Sequence, residues 1–226
     1  MTTPIRIILF AFLLALGDSA TAQGMFGFMG GAGYAHGRDG YKGHVTPTFE
    51  GYYLGKLSRH FYAGGSISFQ RYYLVKDMGV NVVTAGFGQP ISIRQESNYL
   101  YLCAKADIGI GYRNLFHVLL AVGPGLNTGG QQFTTQKMPL SHWGGYLLYD
   151  FETSYNITNV VARATMGISE RIPTHRYWNI MLSQEFTWTP TSLTKQGENS
   201  NTNYFACTVG IMHKYPHVRV QNQEEK

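Results

Sequence analysis

The sequence predicts an all-β fold, a closed antiparallel up-and-down barrel, from three observations. Many segments alternate between apolar and polar residues, as expected when successive side chains of a strand point to opposite faces. Only 14% of the residues are charged, against the usual quarter, while glycine, tyrosine and phenylalanine are abundant. Apolar residues do not recur at helical spacing, and no stretch beyond residue 22 is long and apolar enough for a transmembrane helix.

The first 22 residues have the features of a secretory signal peptide. Arg6 is followed by ten apolar residues, 7–16, and then by the small-residue pattern Ala20-Thr21-Ala22. A stretch of this length covers only about half of a bilayer core, which argues against a membrane anchor. We therefore expect export with cleavage near Ala22, one domain at 23–215 and a polar C-terminal tail at 216–226.

Nine later segments show the alternation of a strand. In order along the chain they are 25–36, 44–56, 60–74, 98–113, 116–125, 143–155, 160–169, 177–188 and 203–215. Charged residues in the middle of these segments lie opposite the apolar face, and they are Glu50, Lys105, Asp107, Asp150, Glu152, Arg163 and Glu185. A soluble barrel turns its apolar face inward, whereas a transmembrane barrel turns it towards lipid and its charges towards the lumen. Alternation alone leaves both arrangements open.

Two further features favour the transmembrane arrangement. Aromatic residues gather near strand ends on the apolar faces, as in the girdles at membrane interfaces: Tyr73, Tyr112, Trp143, Tyr155, Trp178 and Trp188. Short connections alternate with long polar ones, as expected for periplasmic turns and outer loops. The short connections are 57–59, 113–115 and 156–158, and the long ones are 75–97, 127–141 and 191–202. We expect the long ones to gather at one end of the barrel.

Strand number is eight or ten, because bacterial barrels of this type close with an even number of strands. Eight strands result if 177–190 belongs to an outer hairpin or merges with a neighbour. Ten result if 81–94 is also a wall strand, but 127–141 would then lie on the periplasmic side. Eight is preferred on that ground. A barrel of eight strands is narrow enough to be filled by its own side chains. The seven mid-strand charges are therefore predicted to form a paired lumen network, since buried charges need partners.

The chain resembles the small outer-membrane β-barrel proteins of Gram-negative bacteria, of the OmpA/OmpX type, especially as they occur in Bacteroidota. The resemblance rests on the signal peptide, the alternating strands over 25–215 and the last strand. In such proteins the last strand is the signal for the barrel-insertion machinery, and Thr208, Gly210 and Tyr215 match that signal. His213 and the tail at 216–226 depart from it. The resemblance implies a porin-like fold in the outer membrane, with membrane lipid and the insertion machinery as partners.

The sequence predicts no catalytic residue, metal site or cofactor. Its eight histidines form neither an H-x-x-x-H motif nor a cluster with cysteine. The Ser-His pair in 141–143 cannot act as a dyad, because neighbouring residues of a strand point to opposite faces. A net charge of +5 without a basic, aromatic-rich run argues against nucleic acid as a partner.

Three functions remain compatible with the sequence. The preferred one is a non-enzymatic outer-membrane barrel, structural or surface-interacting through extracellular loops whose partner cannot be predicted. The alternatives are an outer-membrane lipid-modifying enzyme, such as an acyl hydrolase, and a secreted soluble barrel that binds an apolar ligand. Cys103 lies on a polar face and Cys207 on an apolar one, so we expect two free thiols.

Overall fold

In the computed structural model the described residues form ten β-strands and no helix. They are residues 24–37, 40–84, 87–111, 115–139, 146–153, 157–174, 177–193 and 202–214, with side chains described outside 78–91 and 131–153. The strands are β1 (Gly24–His36), β2 (Tyr41–Gly43), β3 (Val45–Lys56), β4 (Phe61–Thr84), β5 (Phe87–Ile110), β6 (Phe116–Pro139), β7 (Tyr146–Thr153), β8 (Val160–Pro173), β9 (Trp178–Thr189) and β10 (Thr202–Lys214). These ranges contain no helix that could span a bilayer. The predicted signal peptide, 1–22, and the tail, 216–226, lie outside the described residues.

Eight of the strands form a closed antiparallel wall. Each wall strand pairs with the next one along the chain, in the order β1, β3, β4, β5, β6, β8, β9 and β10. The wall closes because β1 also pairs with β10, so that Met29 lies opposite Glu50 on one side and Gly210 on the other. The predicted eight-stranded up-and-down barrel is therefore confirmed.

Two short strands lie outside this wall, and one of them corrects the sequence analysis. β7 pairs with residues 132–139 of β6, whereas β8 pairs with residues 116–126 of the same strand. The segment 143–155 is thus not a wall strand, although its alternation is the same as that of one. The segment 177–190 does not leave the wall either, because β9 pairs with both β8 and β10. The connection predicted at 156–158 follows β7 and precedes β8, but in the described residues these two strands pair with β6 and not with each other, so it is not the turn of a wall hairpin.

Two of the three predicted long loops, 75–97 and 127–141, are largely extensions of strands, whereas most of the third, 191–202, lies outside the described residues. β4 and β5 form one long hairpin that continues beyond the paired part of β3, and β6 follows it with residues 127–139. The segment 81–94 belongs to this hairpin, so the ten-stranded alternative is wrong. We call this end of the barrel the hairpin end. At the opposite end, which we call the turn end, β3, β5 and β8 end and β4, β6 and β9 begin only a few residues later along the chain.

The wall has an apolar outer face and a polar inner face. In β9 the inward side chains are buried, and they are Asn179, Met181, Ser183, Glu185, Thr187 and Thr189. The exposed outward residues include Trp178, Ile180, Leu182, Phe186 and Trp188. β5 repeats the pattern, since Lys105 and Asp107 are 3% and 0% exposed while Ile108 and Ile110 face outward. This is the arrangement of a transmembrane barrel.

The outer apolar belt has the height of a membrane core. Trp178 and Trp188 lie ten residues apart on the outward face of β9, near its two ends. With a rise of about 3.4 Å per residue and a strand tilt of about 40°, they are separated by about 26 Å along the barrel axis. Apolar bands of outer-membrane barrels are about 25 Å tall and flanked by aromatic residues. The two tryptophans therefore lie where the two interfaces are expected.

The two cysteines lie on opposite sides of the wall. Cys103 is buried on the lumen side of β5, and Cys207 is exposed on the outer face of β10. Both are free thiols, which confirms the prediction from their positions on polar and apolar faces.

Candidate functional site

The centre of the lumen contains a buried cluster of charges around Lys105. Its Nζ donates a hydrogen bond to Glu50 Oε2 at 2.7 Å and lies 3.5 Å from Glu185 Oε1. The ammonium group also lies 5.0 Å from the centre of the Tyr52 ring. The three charged side chains come from β3, β5 and β9, so the cluster bridges the lumen. Period-two alternation is what directs all three inward.

Arg163 of β8 completes the central cluster. Its Nη2 lies 3.7 Å from Glu185 Oε2, its Nε donates to Thr165 Oγ1 at 2.7 Å, and its Nη1 donates to Ser68 Oγ. The guanidinium lies 4.9 Å from the centre of the Tyr101 ring. The cluster thus contains two cations and two carboxylates, the balance that buried ionised groups require.

Asp107 belongs to a second cluster, nearer the turn end. His117 Nδ1 lies 2.5 Å from Asp107 Oδ1, and Arg171 donates to Asp107 Oδ2. The Arg171 guanidinium also lies 5.7 Å from the centre of the Tyr62 ring. The sequence analysis missed His117 and Arg171. Extending the odd-numbered polar face of β8 beyond residue 169 would have found Arg171, because Arg163, Thr165, Ser169 and Arg171 share it.

Asp150 and Glu152, the other two carboxylates predicted for the lumen network, lie on a strand outside the wall. Both lie on β7, where they pair in the backbone ladder with Thr135 and Phe133 of β6, beyond the part of β6 that borders β8. Their side chains lie outside the described residues. The physical reason is that β6 is long enough to pair with two successive strands, and only the second belongs to the wall.

The hairpin end of the lumen is closed by tyrosines and by two connecting segments. Tyr72 Oη lies 2.9 Å from Tyr101 Oη, and Tyr99 Oη donates to the Thr158 carbonyl at 2.8 Å. Ile157 and Leu193 come from connections at this end and are buried against the tyrosines. These connections are joined by a hydrogen bond from Thr158 N to Leu193 O at 2.9 Å.

Apolar side chains fill the lumen between the central cluster and the turn end. This layer consists of Met25, Met29, Tyr52, Leu54, Leu119, Met181 and Met212. Tyr52 Oη donates to Met181 Sδ at 3.2 Å, so even the phenol in this layer has a partner. With charges in the middle and tyrosines above, the described part of the lumen is occupied over its length by its own side chains.

The described residues do not assemble a nucleophile with its base. Asp107 and His117 form an acid–base pair, and Ser169 lies directly opposite His117 in the β6–β8 ladder. Ser169 Oγ is buried, however, and makes no hydrogen bond.

A cavity of about 490 Å³ opens on the outer face of the wall, where Phe28, Ile67 and other apolar side chains line it. The described residues also contain no group of three or more His, Cys, Asp or Glu that could hold a metal ion.

The residues that match the insertion signal lie on β10. Thr208 faces inward with its Oγ1 2.6 Å from Ser183 Oγ, and Gly210 faces the backbone of β1 at close range. Tyr215 lies outside the described residues. His213, which departs from the signal, faces outward with its ring centre 5.4 Å from that of Phe26 and 4.5 Å from that of Trp178. It thus takes an aromatic place in the girdle at the turn end.

Comparison with known proteins returns bacterial outer-membrane barrels among the solved structures. Ail, the attachment invasion locus protein of Yersinia pestis, is 12% identical and aligns over 86% of this chain and 99% of its own, with a TM-score of 0.43. OprG from Pseudomonas aeruginosa is 10% identical over 87% and 98%, with a TM-score of 0.40. The outer-membrane protease OmpT from Escherichia coli is 7% identical over 87% and 98%, with a TM-score of 0.41. No protein-family model and no curated protein matches the chain. At these levels of similarity, the fold assignment stands on the strand pairing itself.

Proposed function

We propose that this chain is a non-enzymatic outer-membrane β-barrel that acts through the part projecting from its hairpin end. The observation that carries the proposal is the inverted distribution of side chains, with an apolar belt of membrane height outside and paired charges inside. A soluble barrel that binds an apolar ligand needs the opposite arrangement. It would also leave Trp178 and Trp188 exposed to water.

The proposed orientation places the turn end in the periplasm. Three short connections lie there, and so do the first residue of β1, Gly24, and the last of β10, Lys214. Outer-membrane barrels have short periplasmic turns and longer extracellular segments. The projecting parts of β4, β5 and β6, with β2 and β7 beside them, would then face the outside of the cell. This extended sheet is the candidate contact surface for an extracellular partner.

The proposed role of the lumen network is to hold the wall together from inside, not to conduct or to catalyse. Its ion pairs join strands that do not touch in the wall, such as β3 with β5 through Glu50 and Lys105. Buried tyrosines pack across the hairpin end of the lumen above the network. Among the described residues, the lipid-modifying alternative would need a nucleophile beside the Asp107–His117 pair, and Ser169 Oγ makes no hydrogen bond there.

Fractionation and reconstitution test this proposal. We expect the mature chain in the outer-membrane fraction, migrating faster on a gel without heating than after it, because a closed barrel resists detergent. In planar bilayers the folded protein should give no steady conductance above background. Recovery in the soluble periplasm, or sustained single-channel currents, would contradict the membrane location or the closed lumen respectively.

A second experiment tests the surface role. Replacing residues 78–91 at the tip of the β4–β5 hairpin with a short turn removes projecting sheet but none of the described lumen contacts. Cells displaying this variant should lose adhesion to host or bacterial surfaces that cells with the full chain show. The matched control is Ser169→Ala, which changes a buried lumen side chain that makes no hydrogen bond and leaves the sheet intact. Equal adhesion by the shortened variant would contradict a role for the projecting sheet.

A further inference from the structure

The outer face of the wall has a recess across β1, β3, β4 and β5, which we call the outer groove. Its volume is about 490 Å³, within the range of about 300–1,000 Å³ that small-molecule sites occupy. The groove lies in the apolar belt, and the side chains around it are mainly apolar: Phe28, Phe49, Tyr53, Ile67, Phe69 and Leu100. An apolar occupant therefore suits it.

A glycine forms the floor of the outer groove. A Cβ built on Gly51, which lies on β3 in the middle of the belt, would have no atom within 4 Å. The rings on either side of it lean towards β1 instead. Phe49 Cδ1 lies 3.2 Å from the place of a Cβ on Gly30, and Tyr53 Oη lies 2.7 Å from the place of a Cβ on Gly24. The recess stays open because these rings cover glycines of the neighbouring strand.

At its hairpin side the outer groove meets a guanidinium. Arg71 follows Phe69 on the outward face of β4 and pairs in the ladder with Asn98 of β5. Arg71 lies ten residues from the start of β4, as Trp188 lies ten residues from the start of β9. Both side chains are thus at the level of the membrane interface on that side. The groove runs from the middle of the apolar belt to a cation at headgroup level.

The guanidinium of Arg71 is accessible to a second anion. Its Nη2 donates to Glu96 Oε2 at 2.6 Å, and 41% of the side chain is exposed. Arg94 Nε lies 3.6 Å from the other oxygen of the same carboxylate. Two guanidinium groups thus share one carboxylate, which leaves a net charge of +1 on these three side chains. A guanidinium has five N–H donors, and their planar arrangement fits a phosphate group.

We propose that the outer groove binds a membrane lipid, with an acyl chain in the groove and a phosphate headgroup at Arg71. The proposal rests on the proposed function, because it needs the belt to lie in the membrane. In the stated orientation the lipid belongs to the outer leaflet. The groove is continuous with the lipid-facing belt and has a cation at one end, which matches a molecule with an apolar chain and an anionic head.

A second copy of the chain is a poorer match for the outer groove. Copies related by a two-fold axis along the membrane normal present the same surface to each other. Their Arg71 side chains would lie at the same level on the two sides of the axis, where like charges repel. The lipid has no such conflict.

Photolabelling tests the proposal. The folded full chain is inserted into phosphatidylcholine vesicles with a minority of phosphatidylglycerol that has a diazirine midway along one acyl chain. Labelled peptides are identified by mass spectrometry after irradiation. We expect more label on the peptides of Phe28, Gly51 and Ile67 than on that of Ile180 and Leu182, which face outward on β9. The excess should be at least about fivefold, the factor that one cation near an anionic headgroup supplies.

Two variants with matched controls separate the chain from the head. Gly51→Leu fills the groove and should abolish the excess, whereas Ala162→Leu, which adds the same side chain to the outer face of β8, should keep it. Arg71→Gln should reduce labelling of the groove by phosphatidylglycerol about fivefold and leave labelling by phosphatidylcholine with the same chain unchanged. Lys42→Gln, on β2, removes another exposed cation of the hairpin end and should have neither effect.

Four results would overturn the proposal. They are uniform labelling around the belt of an inserted wild type, an excess that survives in Gly51→Leu, equal losses in Arg71→Gln and Lys42→Gln, and a wild-type dimer that Gly51→Leu dissociates. The last result would assign the groove to a second copy. The wild-type labelling pattern decides the matter without any variant, should Gly51→Leu not fold. A wild type that inserts into neither kind of vesicle would overturn the proposed function itself.

Discussion

Removing Lys105 should destabilise the barrel more than any exposed substitution. Its ammonium is the described hydrogen-bond donor to Glu50, whose other oxygen, Oε1, is buried and makes no hydrogen bond. In Lys105→Met the two carboxylates Glu50 and Glu185 would share a single cation, Arg163, in a lumen closed to water. Breaking a buried pair by removing one partner typically costs about 3–5 kcal/mol. We expect the free energy of unfolding to fall by about that amount.

The measurement is reversible urea unfolding in lipid vesicles, followed by tryptophan fluorescence, since Trp178 and Trp188 face the lipid. Two variants make the result specific. Lys105→Met/Glu50→Gln restores the balance between Glu185 and Arg163, and should lose less than about 2 kcal/mol, because balanced replacement of a buried pair is often close to neutral. Lys76→Met, at the hairpin end, should change stability by less than about 0.5 kcal/mol. A loss below about 1 kcal/mol in the single variant, or no recovery in the double one, would refute the reasoning.

Three other substitutions test other parts of the structure. Gly33→Ala should cost more than about 1 kcal/mol, because its Cβ would lie 2.1 Å from Tyr204 Cζ, whereas Gly51→Ala, with nothing within 4 Å, should be neutral in the same unfolding assay. Ser169→Ala should leave stability unchanged or slightly raised, since no hydrogen bond is lost, and a drop above about 1 kcal/mol would reveal a missed partner. In detergent, mass spectrometry should show maleimide on Cys207 but not on Cys103 until the barrel unfolds.

Alternation in the sequence predicts which side of the wall a residue faces, and little more. It places Glu50, Lys105, Arg163 and Glu185 inward correctly, because the period of two is a property of the extended chain itself. The partners are another matter, since a contact across the lumen depends on the register between strands. The sequence could therefore not indicate that Asp107 meets Arg171.

The sequence also could not indicate which of the alternating segments become strands of the barrel wall. The segments 143–155 and 177–188 show the same alternation, yet only the second borders two wall strands. The difference arises from the length of β6. Its residues 132–139 pair with β7, and its residues 116–126 pair with β8. Strand length in turn depends on how far the β4–β5 hairpin continues beyond the barrel. Composition does not reveal this, because Gln and Thr suit an exposed ladder and a barrel rim equally well.

The pairing of β1 with β10 has a consequence for how the barrel folds. Every other wall contact joins successive strands of the wall, so those pairs form with much shorter loops to close, of which residues 127–159 between β6 and β8 are the longest. The seam between residues 25–36 and 203–214 brings together opposite ends of the domain and carries the largest loop-closure entropy. Until it forms, the chain is an open curved sheet with two unpaired edges, and exposed edges recruit other strands. β10, the last wall strand in chain order, is thus one of these two edges. Aggregation through the unpaired edges of β1 and β10 is therefore the main risk while the barrel folds.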